Sequence, residues 1–156
     1  MNKGSHIFKE FRLIHLAIIL GLVIFCIVSI VMVQLRLKSP VALSVDRILQ
    51  VVVIIFSVAL LFAGFRYFKN AIMKIRGFKH DAEKRIADYR SACIIWWAMI
   101  DAPALLALVC FLITGNYAFF AVAFCHLIVL IIFMPKRENI ILLLNLSSQE
   151  LQQLEM

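Results

Sequence analysis

From Leu13 to Leu35 the chain reads LIHLAIILGLVIFCIVSIVMVQL, about 23 residues without one charged side chain. As a helix rising 1.5 Å per residue, such a run matches the roughly 30 Å hydrocarbon core of a bilayer. Lys3, Lys9 and Arg12 precede it, so the pattern is also that of a secretory signal. The run, however, exceeds the roughly 7–15 apolar residues of a signal core, and no small-x-small cleavage site stands before Arg36 and Lys38. The reading is a retained transmembrane helix.

Working outward, apolar runs recur at 48–68, 91–114 and 117–134, interrupted by charge only at Arg66 and Asp101, and the last run is at the short end for a span. Of 156 residues, 64% are hydrophobic and 16% charged, against roughly 45–50% apolar in a soluble domain. Segments of this length without alternating polarity satisfy their backbone groups as helices rather than barrel strands. The expected fold is all-α: a polytopic membrane protein with a four-transmembrane-helix bundle over 1–134, a cytoplasmic helical hairpin extension, and a short C-terminal amphipathic tail over 135–156.

Charge sets the expected orientation. Thirteen of the sixteen Lys and Arg fall in the N-terminal tail, the link between the second and third spans and the C-terminal tail; Arg36, Lys38 and Arg47 make up the rest. The positive-inside rule then places both termini in the cytoplasm of a multi-pass protein. The second link, with Arg66, Lys69, Lys74, Arg76, Lys79, Lys84, Arg85 and Arg90, also carries Ile72, Ile75, Ile86 and Tyr89 at helix-compatible spacings and one breaker, Gly77. It reads as a helical hairpin turning near Gly77 to His80, with Asp81 capping the return helix. Its cations either hold the link inside or contact anionic lipid headgroups.

Gly115-Asn116 leaves room only for a tight antiparallel hairpin between the third and fourth spans. Pro135 stands where a new helix starts, the apolar stretch Ile140 to Leu144 lies against the inner leaflet or under the bundle, and Ser147 with Glu150 has capping-box spacing for a last helix from Ser148.

Little here points to catalysis. Cys26, Cys93, Cys110 and Cys125 lie inside apolar runs without a CxxC pair, as buried inert thiols do, which disfavours a quinone-linked disulfide enzyme. His15 and His126 are poorly matched in depth for haem ligation. No phosphate loop, activated nucleophile or metal cluster is visible, so no enzyme, cofactor or nucleic-acid partner is expected. Trp96 and Trp97 join an aromatic belt or pack on a neighbour. Gln34, Gln50 and Ser57 make helix contacts, and Gly21 and Gly64 stand isolated.

Asp101 is the exception. A carboxylate in mid-membrane costs about 2.5–3.5 kcal/mol on insertion scales, which makes it a functional-site candidate. Pro103 follows closely, supplying no amide hydrogen and crowding the Met99 carbonyl, so a backbone acceptor is freed beside the acid. Asp101 and His126 lie at depths that differ by about 3 Å, so the two can meet if their helix faces agree. Three roles are open: interhelical glue, a proton or cation site with Asp101 titrating, or contact with another subunit.

Two resemblances arise at this helix. Ala98-Met99-Ile100-Asp101-Ala102-Pro103-Ala104-Leu105-Leu106-Ala107-Leu108-Val109 resembles the carboxylate helix of rotary-ATPase proteolipid subunits, which implies that Asp101 carries the ion; that family's glycine-rich packing helix has no counterpart, since the first span holds Gly21 alone. More broadly, Tyr89-Arg90, the Asp-Ala-Pro-Ala-Leu run, Thr114-Gly115-Asn116, Pro135-Lys136-Arg137 and Leu144-Asn145-Leu146-Ser147 with Glu150 are similar to uncharacterised small four-span membrane proteins of Bacteroidota. That resemblance covers the second half of the chain. It implies a bacterial inner-membrane protein without an assigned activity, typically with Glu in place of Asp101. The expected function is a structural or accessory component that associates with itself or other membrane subunits; the alternative is an oligomeric proton- or cation-coupled translocator.

Overall fold

The computed structural model describes residues 3–35, 43–77 and 82–146, and every regular element among them is a helix. In order these are α1 (Lys3–Gln34), α2 (Leu43–Gly77), α3 (Ala82–Thr114), α4 (Tyr117–Ile132) and α5 (Arg137–Leu144). Three of them, α1, α2 and α3, are long and apolar enough to cross a membrane, while α4 is a shorter apolar helix of 16 residues. The expected all-helical character is therefore present, and α2 and α3 run unbroken up to Gly77 and onward from Ala82. Ile72, Ile75, Ile86 and Tyr89 are buried along its arms. The proposed Asp81 cap, Lys79, the first loop with Arg36 and Lys38, and the helix from Ser148 lie outside the described residues.

α3 is the helix on which the others pack. Half (50%) of its most apolar stretch is buried, against 22% in α1 and 17% in α2. α1 lies along α3 and α4, and α2 lies along α3 with smaller contacts to α4 and α5. The buried residues explain the asymmetry. On α1, Phe11, His15, Leu22, Cys26, Ser29 and Val33 recur at spacings that trace one narrow face, while Leu13, Leu20, Ile24 and Ile27 on the other face are each more than half exposed. α3 instead buries one broad face, with Ile100, Ala104, Ala107, Leu108 and Phe111 fully enclosed, while Ile95, Leu105, Val109 and Ile113 on its opposite side are exposed.

Small residues decide how closely helices approach where lipid supplies no hydrophobic drive. At Gly64 on α2 a Cβ atom would sit 2.6 Å from Cζ3 of Trp96, so α2 and α3 meet in a crossing that a larger residue enters only if the buried indole moves. Gly64 is thus a tight contact and not an isolated glycine. Trp96 packs against Phe65, Phe68 and Phe133, and Trp97 against His15, so both indoles are core residues packed on neighbours rather than at the surface. Cys26, Cys93 and Cys110 are buried free thiols, whereas Cys125 is exposed, on the outer side of α4.

The expected tight turn between α3 and α4 is observed at Gly115-Asn116. Gly115 takes φ 68°, and the Asn116 side chain caps α4 by accepting from the Ala118 amide at 3.0 Å. At the other end α4 stops at Ile132, two residues before the expected 134, and Pro135 is not the start of the next helix. Lys136 is the residue before the first helical position, and α5 begins at Arg137. The short linker turns the chain so that the buried Ile140, Leu144 and Leu146 face the bundle.

Candidate functional site

At the hairpin end the bundle solves a problem posed by Pro135. The last carbonyls of a helix have no intrahelical donor, and proline offers no amide to the carbonyl four residues back. Here the Met134 amide turns to the Ile131 carbonyl at 3.3 Å, and the Leu130 carbonyl is met by Nε2 of His15 from α1 at 3.0 Å. An imidazole donating to a carbonyl carries its proton on Nε2. His15 is fully buried, its ring centroid 4.5 Å from that of Trp97. This contact joins α1, α3 and α4 at one level, and sequence spacing did not reveal it.

One helical turn deeper, about 6 Å along the axes, lie the residues that the sequence singled out. Asp101 follows Trp97 by four positions on α3, and His126 precedes Leu130 by four on the antiparallel α4. Residues four apart lie near one another on a helix face, so each continues, one turn inward, the side of its helix that takes part in the His15 contact. They do not pair. Nδ1 of His126 lies 2.9 Å from the Val122 carbonyl of its own helix, and Nε2 has no partner. Asp101 Oδ1 is buried and likewise has none. Pro103 is buried inside an α3 that continues through it from Ala82–Thr114. Farther along, the hydroxyls of Ser29 on α1 and Ser57 on α2 are buried without a hydrogen-bond partner. Ser57 therefore packs between helices but makes no polar contact there. Among the described residues, no group of three or more His, Cys, Asp or Glu is placed to hold a metal ion.

The cations of the hairpin divide by what they touch. Arg76, near the end of α2, donates through Nε to the Leu143 carbonyl and through a terminal nitrogen to the Leu142 carbonyl at 2.9 Å. Arg85, near the start of α3, donates to the carbonyls of Leu144 and Asn145. Two guanidinium groups thus close on the C-terminus of α5, where the orphan carbonyls and the negative end of the helix dipole coincide. Asn145 adopts the left-handed conformation (φ 49°), and the Leu146 and Asn145 amides return to the Ile141 and Leu142 carbonyls in a Schellman arrangement. Arg90 pairs with Glu10 of α1 at 3.2 Å. Arg66, Lys69, Lys74 and Lys84 are exposed. Of the cations singled out for lipid contact, then, Arg76, Arg85 and Arg90 are engaged within the protein.

The opposite end is tied by Asp46. Its Oδ2 accepts from Nδ2 of Asn116 at 2.7 Å and from Nε2 of Gln50 at 3.2 Å, fixing the start of α2 to the α3–α4 turn. An acidic residue in the first turn also suits the positive end of α2. No protein-family model, curated protein or solved structure matches the chain.

Proposed function

We propose that the chain is a four-span protein of a bacterial inner membrane, with both termini cytoplasmic, that serves as a structural or accessory component of a membrane assembly and is not an enzyme. The cation-rich hairpin end supports the orientation. α4 adds about 24 Å of apolar helix, and the linker through Met134 extends its reach. The similarity to Bacteroidota four-span proteins supports the choice of membrane.

The observation that carries association is a notch on α1. Ala17 and Gly21 are exposed one turn apart, and a Cβ on Gly21 would meet nothing within 4 Å. Glycine there costs roughly 1 kcal/mol of helix propensity relative to alanine and packs against nothing in the chain. Small residues four apart on an exposed face are how membrane helices admit a second helix. In mild detergent the wild type should co-purify with a stoichiometric partner, a second copy or another membrane subunit. Gly21→Ile should remove the partner and leave thermal stability unchanged. A lone monomer, or a partner indifferent to Gly21→Ile, overturns the proposal.

A second reading, a proton- or cation-coupled translocator, is favoured by Asp101 and His126, which keep buried polar atoms unpartnered at one depth. In proteoliposomes Asp101→Asn should abolish ion-coupled flux; unchanged flux removes this reading.

A further inference from the structure

Beyond the membrane reading, on which it rests, the hairpin carries a groove of about 410 Å3 between its two arms. Tyr67, Ala71, Lys74 and Ile75 of α2 face Arg85, Asp88 and their neighbours on α3 across it, over about two helical turns. Because the arms are antiparallel, the groove has two unlike ends. Lys74 and Lys84 reach its outer end from opposite helices, beside the Arg85 that holds α5. Tyr67, Ser91 and Ala92 form the inner end, toward the apolar stretches, and Ala71 and Ala92 are small enough to leave it depth. Among the described lining residues, three cations, Lys74, Lys84 and Arg85, stand against one carboxylate, Asp88, so this lining is net positive.

We propose that this groove binds one anionic phospholipid, its phosphate between Lys74 and Lys84 and its glycerol toward Tyr67 and Ser91. The direction of the groove favours a lipid over a soluble phosphate. One turn inward from Tyr67 and from Ser91, the same faces continue as Ala63 and Ile95, both exposed, and these give the acyl chains a surface to follow. The net positive charge selects an anionic headgroup over a zwitterionic one, and two lysines on separate arms distinguish a site from a diffuse cationic surface.

The test is a lipid titration of the purified full-length chain in mild detergent, read by native mass spectrometry. Phosphatidylglycerol should bind saturably at one per chain and phosphatidylcholine should not. Each lysine near a membrane surface accounts for about a fivefold change in affinity, so Lys74→Ala with Lys84→Ala should weaken binding about thirtyfold. Arg66→Ala with Lys69→Ala, on the same hairpin but outside the groove, should weaken it less than about twofold. Equal losses in the two double variants, equal binding of phosphatidylcholine, or displacement by soluble glycerol phosphate at matching concentration would each overturn the site. Failure of the underlying membrane reading looks different: the chain would stay monodisperse in plain buffer, whatever its lysines.

Discussion

The hairpin end ties its helices together through polar side chains far more than the middle of the bundle does. At the hairpin end Arg76, Arg85 and His15 place their donors on helix-end carbonyls that would otherwise be orphaned. One turn deeper, Asp101 Oδ1 and His126 Nε2 have no partner, and neither do the hydroxyls of Ser29 and Ser57. A buried polar group left unpaired costs about 1–3 kcal/mol. The hairpin end carries unpartnered atoms too, His15 Nδ1 and Trp96 Nε1, but His15 there also makes a contact between helices, whereas Asp101 Oδ1 and His126 Nε2 gain none from a neighbouring helix. An ionisable acid left so in the middle marks a candidate site of function or of further contact.

Three substitutions sharpen or break this comparison. The largest effect is expected from Arg76→Ala with Arg85→Ala, which strips the carbonyls of α5 of two charge-assisted donors. At about 1.5 kcal/mol for the half-buried Arg85 and about 0.5 kcal/mol for the exposed Arg76, docking of α5 should weaken by about 2 kcal/mol. Limited trypsin digestion in detergent should then cut after Lys136 or Arg137 far faster than in the wild type; unchanged protection would show that apolar packing alone holds α5. Next comes His15→Leu, which keeps the volume and removes the donor to Leu130, with an expected loss of about 1.5 kcal/mol. Chemical unfolding in mixed micelles reads it, and a neutral result would remove His15 from the stabilising set. The smallest effect has the opposite sign. Asp101→Leu replaces a half-buried acid whose buried Oδ1 lacks a partner and should stabilise the isolated chain by about 1 kcal/mol. Destabilisation of that size would mean that Asp101 is part of the scaffold.

Much of the fold was legible because bilayer thickness and charge placement act on whole segments. The 13–35 run, the Gly115-Asn116 turn and the hairpin arms ending near Gly77 all lie close to where apolar length and breakers put them. Asp101 was visible for the same reason, since a lone acid stands out in an uncharged run. What escaped was pairwise. The depth argument brought Asp101 and His126 to one level, yet depth says nothing of rotation about each helix axis, and His126 turned to its own Val122 carbonyl. Gly64 looked isolated because its partner, Trp96, lies on another helix. Arg76 and Arg85 read as topological charges because the carbonyls they serve come from 59–67 residues farther along the chain. One signal was present: Pro135 removes a donor from the end of α4, and a buried histidine elsewhere in the sequence was able to supply one.

The central position of α3 also bears on how the protein is made. Ribosomes deliver α1 and α2 first, and neither packs substantially on the other. Until the third helix emerges, His15, Ser29 and Ser57 have no inner surface to face, and in the proposed membrane setting the two early helices wait apart with these polar groups uncovered. Assembly is therefore gated by synthesis of the chain's middle, and nascent chains stalled before residue 82 should be the ones that insertion chaperones hold longest.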